Sequence, residues 1–87
     1  MGGENSIKVD EPIRVLASFD NGKINIHFFC YQERIYKVKR LNLFHIKKDE
    51  NEKTYHFAVS SENNSYAISY NPASLAWRLE EIVGEWS

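Results

Sequence analysis

Cysteine is nearly absent from this chain. Its one thiol, Cys30, rules out an internal disulfide and the stapled frameworks of many small secreted domains. Proline occurs twice and glycine four times in 87 residues, too few for a collagen-like or linker-like chain. No apolar run approaches the ~20 residues that span a bilayer. The start MGGENSIKVDEP lacks the apolar centre of a signal peptide. A cytoplasmic protein without membrane contact is therefore expected. Neither sign of charge dominates: the formal net charge is −1, which gives no global attraction to nucleic acid or anionic lipid. There is no glycine-rich phosphate loop. The closest approach to a metal motif is His27-x-x-Cys30, and in a strand positions three apart point to opposite faces. Asp49-Glu50 and Glu80-Glu81 are adjacent pairs whose side chains diverge in a strand, so neither forms a carboxylate dyad. No catalytic residue, cofactor or metal is expected.

Aromatic residues are plentiful: five Phe, five Tyr and two Trp make 14% of the chain, within a hydrophobic fraction of 43%. Each large ring buries roughly 150–250 Å² when enclosed, enough to give a short chain a core. A single domain over residues 11–87 is expected, preceded by a polar, flexible stretch over 1–10.

The pattern is that of an all-β chain. Ile13, Val15, Ala17 and Phe19 alternate behind an edge-compatible Pro12. Asn21-Gly22 follows, the strongest short hairpin signal, because a type I′ turn needs positive φ at both central residues. In INIHFFCY, Ile24, Ile26, Phe28 and Cys30 share one parity, while His27, Phe29 and Tyr31 share the other. Over 35–46, Tyr36 and Val38 point one way and Leu41 and Leu43 the other, which predicts a bulge near Lys39-Arg40. TYHFAVS and SYAISY alternate again, with Tyr55, Phe57, Val59, Tyr66, Ile68 and Tyr70 inward. Short strands about ten residues apart point to a strongly bent meander or small open barrel of about six antiparallel strands.

The last segment, NPASLAWRLEEIVGEWS, is ambiguous by pattern alone. Asn71 suits a helix cap, Pro72 a first helical position, and Leu75, Leu79, Ile82 and Val83 a helical stripe. That would make the fold α+β with a helix over 72–83. Leu75, Trp77 and Leu79 equally alternate as a strand behind an Asn-Pro turn.

Four motifs together carry a resemblance: Glu11-Pro12-Ile13, the Tyr-x-Val of Tyr36 and Val38, the Tyr-x-Phe-x-Val of Tyr55, Phe57 and Val59, and the closing Trp77, Leu79 and Ile82. Over residues 11 to 83 the chain resembles a family of small bacterial β domains of unknown function. These also occur as a C-terminal appendage on proteins related to Y-family DNA polymerases. The chain departs from the family at Phe44, where a tryptophan is usual, and at Gln32-Glu33, where glycine is common. The resemblance implies that the segment after Asn71-Pro72 is a strand, with Trp86 beyond it covering the barrel mouth. It implies no catalytic residues. By association it implies a DNA-repair setting for the partner.

The strongest functional candidate is a local charge asymmetry. Residues 34 to 48 hold Arg34, Lys37, Lys39, Arg40, Lys47 and Lys48 and no acid; a net charge of −1 with +6 here leaves −7 for the rest. Phe29 and Tyr31 lie across the turn, off the expected apolar face. Cations beside exposed rings suit single-stranded nucleic acid, with charges tracking phosphates and rings stacking bases. The same pattern also suits a solvated outer face with edge lysines, or a closed barrel in which a second layer buries Phe29 and Tyr31. The expected function is non-catalytic binding, of nucleic acid through the 34–48 strand. The alternative is a protein partner or a homodimer, engaged through open sheet edges and surplus rings.

Overall fold

A computed structural model describes residues 4–85. Eight strands form two antiparallel sheets: β1 (Glu4–Pro12), β2 (Arg14–Asp20), β3 (Lys23–Tyr31), β4 (Arg34–Lys37), β5 (Arg40–Asp49), β6 (Glu52–Ser61), β7 (Asn64–Asn71) and β8 (Ala76–Glu85). The large sheet has the order β1-β8-β7-β6-β5 and the small one β2-β3-β4. No helix occurs among the described residues, so none is long and apolar enough to cross a membrane.

The extra strands arise because two long strands bend and change sheets. At Ile13 the N–H still bonds Trp77 of β8 (3.1 Å), and the next residue begins β2. Between β4 and β5, the Val38 N–H bonds His27 of β3 (2.9 Å), and the Lys39 N–H bonds Ser60 of β6 (2.8 Å). A bulge was expected near Lys39-Arg40; the chain instead leaves one sheet for the other there. The register bulge falls at Asn42, since Leu41 faces Val59 and Leu43 faces Ala58. Residues 4–10, expected to be flexible, form most of β1 and pair with β8. Their short Ile7-x-Val9 alternation is sparse in apolar residues, and the pairing rests on backbone bonds that composition does not reveal.

The core lies between the sheets: Ile26 and Phe29 from the small one, Phe57, Val59, Tyr66, Ile68, Tyr70 and Leu79 from the large one. Phe29 is 1% exposed, stacked on Tyr36 (5.0 Å, 8°) and edge-on to Tyr66 (5.0 Å, 61°). Ile24 and Ile26 face the core as expected, but beyond His27 the parity expected for β3 is reversed. Leu16 pairs with Phe28 but Ala17 with Ile26, so His27 is an extra residue. The bulge turns Phe29 and Tyr31 inward and leaves Phe28 and Cys30 on the outer side.

The C-terminal segment is a strand. Asn71 does behave as a cap: its Oδ1 accepts from the N–H of Ala73 (2.8 Å) and Ser74 (3.2 Å), and Leu75 N–H bonds Asn71 O (2.7 Å). This single turn stops at Leu75, whose φ is 61°, and β8 begins at the next residue. Trp77 and Leu79 face the core. Gly84 lies within β8, whereas Trp86, expected to cover the barrel mouth, falls outside the described residues.

The Asn21-Gly22 turn has φ of 52° and 74°, as type I′ requires. The β3–β4 turn holds the same pair of conformations with Gln32 (54°) and Glu33 (63°), neither of which favours them. Glu33→Gly is expected to stabilise the domain by about 1 kcal/mol, read as a raised urea midpoint. Phe29→Ala is expected to cost about 3–5 kcal/mol and Phe28→Ala under about 2 kcal/mol. Equal losses would contradict the bulge at His27.

Candidate binding surface

The expected basic and aromatic residues do not form one site. Phe29 is buried, and Tyr31 is half-buried against the core, so neither ring is free to stack a ligand. Arg34 pairs with Glu62 and sits over the Tyr36 ring at 4.8 Å. Lys37 lies on the outer side of the small sheet, beside a shallow apolar depression of about 480 Å³ lined by Arg14, Leu16, Phe28, Cys30 and Ile35. Lys39 and Arg40 edge a cleft of about 210 Å³ at the β4–β5 crossover, with Asn25, His27 and Leu41. Ser18 Oγ lies 2.9 Å from His27 Nε2 nearby. Lys47 and Lys48 sit near the tip of the β5–β6 hairpin.

Three of these cations, Arg40, Lys47 and Lys48, lie on strand β5, whose exposed apolar residues the sequence pattern had not singled out. All ten of its residues are exposed, and it is an edge of the large sheet. Leu41 is 46%, Leu43 57%, Phe44 42% and Ile46 47% exposed. The Asn42 bulge, anchored by its amide donating to Ser60 Oγ (2.7 Å), decides where they point. Leu41, Phe44, Ile46 and Lys48 lie opposite Val59, Phe57, Tyr55 and Lys53, on the side that carries the core. Leu43, His45 and Lys47 take the outer side. The Phe44 ring meets Phe57 at 5.1 Å and Tyr55 at 5.8 Å, extending the aromatic core past the small sheet into solvent. Lys53 lies over Tyr55 at 5.7 Å. The signal was present as LNLFHI: six uncharged residues without clean alternation, flanked by Arg40 and Lys47-Lys48.

The opposite edge is built differently. In β1, Lys8, Asp10 and Glu11 interrupt the apolar residues, and Pro12 ends the strand. Asp10 accepts from Arg78 (2.9 Å), yet its side chain stays 71% exposed.

The outer side of the large sheet carries a polar row. His45 stacks on His56 (5.1 Å, 10°), and Ser69 follows on the next strand. Ser69 Oγ donates to Glu80 (2.6 Å). Among the described residues, no group of three or more His, Cys, Asp or Glu is arranged to hold a metal.

Compared with known proteins, the chain matches no family model, no curated protein and no solved structure.

Partial burial, then the charge of His45, lowers the pKa of His56 below the ordinary 6.5; Glu80 opposes this and Lys47 adds to it. The folded state thus binds the His56 proton less readily than the unfolded chain. The stability from neutral His56 is full above about pH 6.5 and is lost as the pH falls towards the lowered folded value. A His56→Gln variant is expected to lose less thermal stability than the parent on acidification from about pH 7 to about pH 5. Identical slopes in the two proteins would show that His56 is not the group responsible.

Proposed function

We propose that this domain is a non-catalytic binding module that takes up an extended protein segment as an added strand on β5. The observation that carries the reading is the exposure of all ten residues of β5, with four large apolar side chains on an edge that has no ladder partner among the described residues. An exposed edge with an uncharged apolar centre invites pairing, and folded proteins ordinarily cover or charge such edges. Strand addition satisfies the backbone groups of the edge, while side-chain contacts on both sides supply selectivity. The bacterial setting and a DNA-repair-associated partner belong to this proposal and rest on the sequence resemblance; the cytoplasmic setting belongs to it too and rests on the composition of the chain.

A second reading, contact with single-stranded nucleic acid, is favoured by one observation. Lys48 and Lys53 share a side with the Phe44 and Tyr55 rings at the open end of the sheet. This places cations beside rings, although not those expected from the sequence.

A displayed library of random decapeptides panned against the protein tests the first reading. Selected peptides are expected to perturb β5 and β6 amides in NMR spectra, and to lose binding when alternate peptide amides are N-methylated or when Phe44→Lys is introduced. Perturbation confined to the β2–β4 side, or indifference to N-methylation, would overturn strand addition. Gel shifts with single-stranded DNA and RNA across a salt series test the second, which predicts a steep loss of affinity with salt. Absence of binding at low salt removes it.

A further inference from the structure

We propose that the strand added to β5 is β1 of a second copy of this chain; the inference rests on the strand-addition reading above and names its occupant. The two edges of the large sheet are complementary. β5 presents an apolar centre followed by Lys47 and Lys48, while β1 presents Ile7 and Val9 followed by Asp10 and Glu11.

Direction and register agree as well. Four antiparallel steps separate β1 from β5, so both run the same way within one sheet. Repeating the sheet edge to edge therefore lays β1 of one copy parallel to β5 of the next. With Asn42 set aside as the bulged residue of β5, aligning Ile7 with Phe44 brings Val9 towards Ile46 and, past the bulge of β1 between Lys8 and Glu11 where Asp10 has a φ of 54°, Asp10 and Glu11 towards Lys47 and Lys48.

The faces match in each pair. Ile7 lies opposite Ile82, Val9 packs on the core, and Glu11 lies opposite Leu79, so all three share the core side of their sheet. Phe44, Ile46 and Lys48 hold that side of β5. Asp10, which bonds Arg78 on the outer side, meets Lys47, also on the outer side. The Ile7 side chain, 61% exposed, would be covered by the Phe44 ring, itself 42% exposed.

Pairing β5 with itself lacks this fit. Antiparallel overlap of two apolar centres sets Arg40 of each copy beside Lys47 and Lys48 of the other, and like charges across a ladder are destabilising. Pairing β1 with itself likewise brings Asp10 and Glu11 towards the other copy's sparse apolar centre. Only the unlike edges unite apolar contact with charge matching. Such a contact is heterologous and produces rings where the rotation closes, or filaments where it does not.

Sedimentation velocity of the purified full chain, over a concentration series at low and high salt, tests this. The expected result is a mass that rises with concentration and falls with salt. Lys48→Glu and Glu11→Lys are each expected to weaken self-association by about tenfold. An equimolar mixture of the two variants is expected to regain it. One contact in the mixture is then the original Lys48–Glu11 pair, and the next is the same pair with its charges exchanged. A chain that stays monomeric at low salt, or a mixture no better than its components, overturns the inference. If peptides still bind at β5 in that case, strand addition stands and only the occupant is wrong; if they bind elsewhere, the reading beneath it falls too.

Discussion

Three strands cannot cover five. The small sheet lays Ile26 and Phe29 over the middle of the large one and encloses a core of eight buried side chains, which is what a chain of 87 residues can supply. The rest of the large sheet extends beyond that cover. Its far edge, β5, therefore keeps Leu41, Phe44 and Ile46 exposed, although its neighbour β6 buries Phe57 and Val59 on the same side. The exposure of β5 on the core side follows from this mismatch in width and not from loose local packing. Phe44 still touches Phe57 and Tyr55, so the aromatic layer runs without a break from core to surface.

The closure that the small sheet does achieve depends on bends. The sheet-changing corners at Ile13 and at Val38-Lys39 keep backbone groups bonded while the chain passes from one layer to the other. The bulge at His27 then turns Phe29 inward to meet Tyr36 and Tyr66. A strand without that extra residue would present Phe28 and Cys30 to the core and leave Phe29 outside.

This explains what could be read from the sequence. The all-β class, the Asn21-Gly22 turn and the inward parity of β6 and β7 were legible because alternation and turn chemistry are local. The sides taken by Phe29 and Tyr31 were not, because one bulged residue inverts everything beyond it and leaves no composition signal. The Asn71 ambiguity was genuine: the segment makes a capped turn, then ends it at Leu75 with a positive φ that no helix continues through. Of the basic stretch, Lys37, Lys39, Arg40, Lys47 and Lys48 are exposed as expected. Arg34 is held by Glu62, which lies 28 residues away in sequence, and only the tertiary arrangement could show that.

The bulge at Asn42 deserves the same weight in function as the one at His27 has in folding. Leu41, ahead of it, is aligned with Val59 on the core side. Without the extra residue, Leu43, His45 and Lys47 would follow on that side, and Phe44 and Ile46 would turn to the outer face beside His56 and Ser69. With it, the two apolar residues continue the aromatic layer, Lys48 joins them, and Lys47 faces outward. A strand added there would meet Leu41, Phe44, Ile46 and Lys48 on one side and Leu43, His45 and Lys47 on the other. Under the proposed strand addition, this placement of charge and apolar surface is what would discriminate among strands of the same backbone geometry, which a uniformly apolar edge could not do.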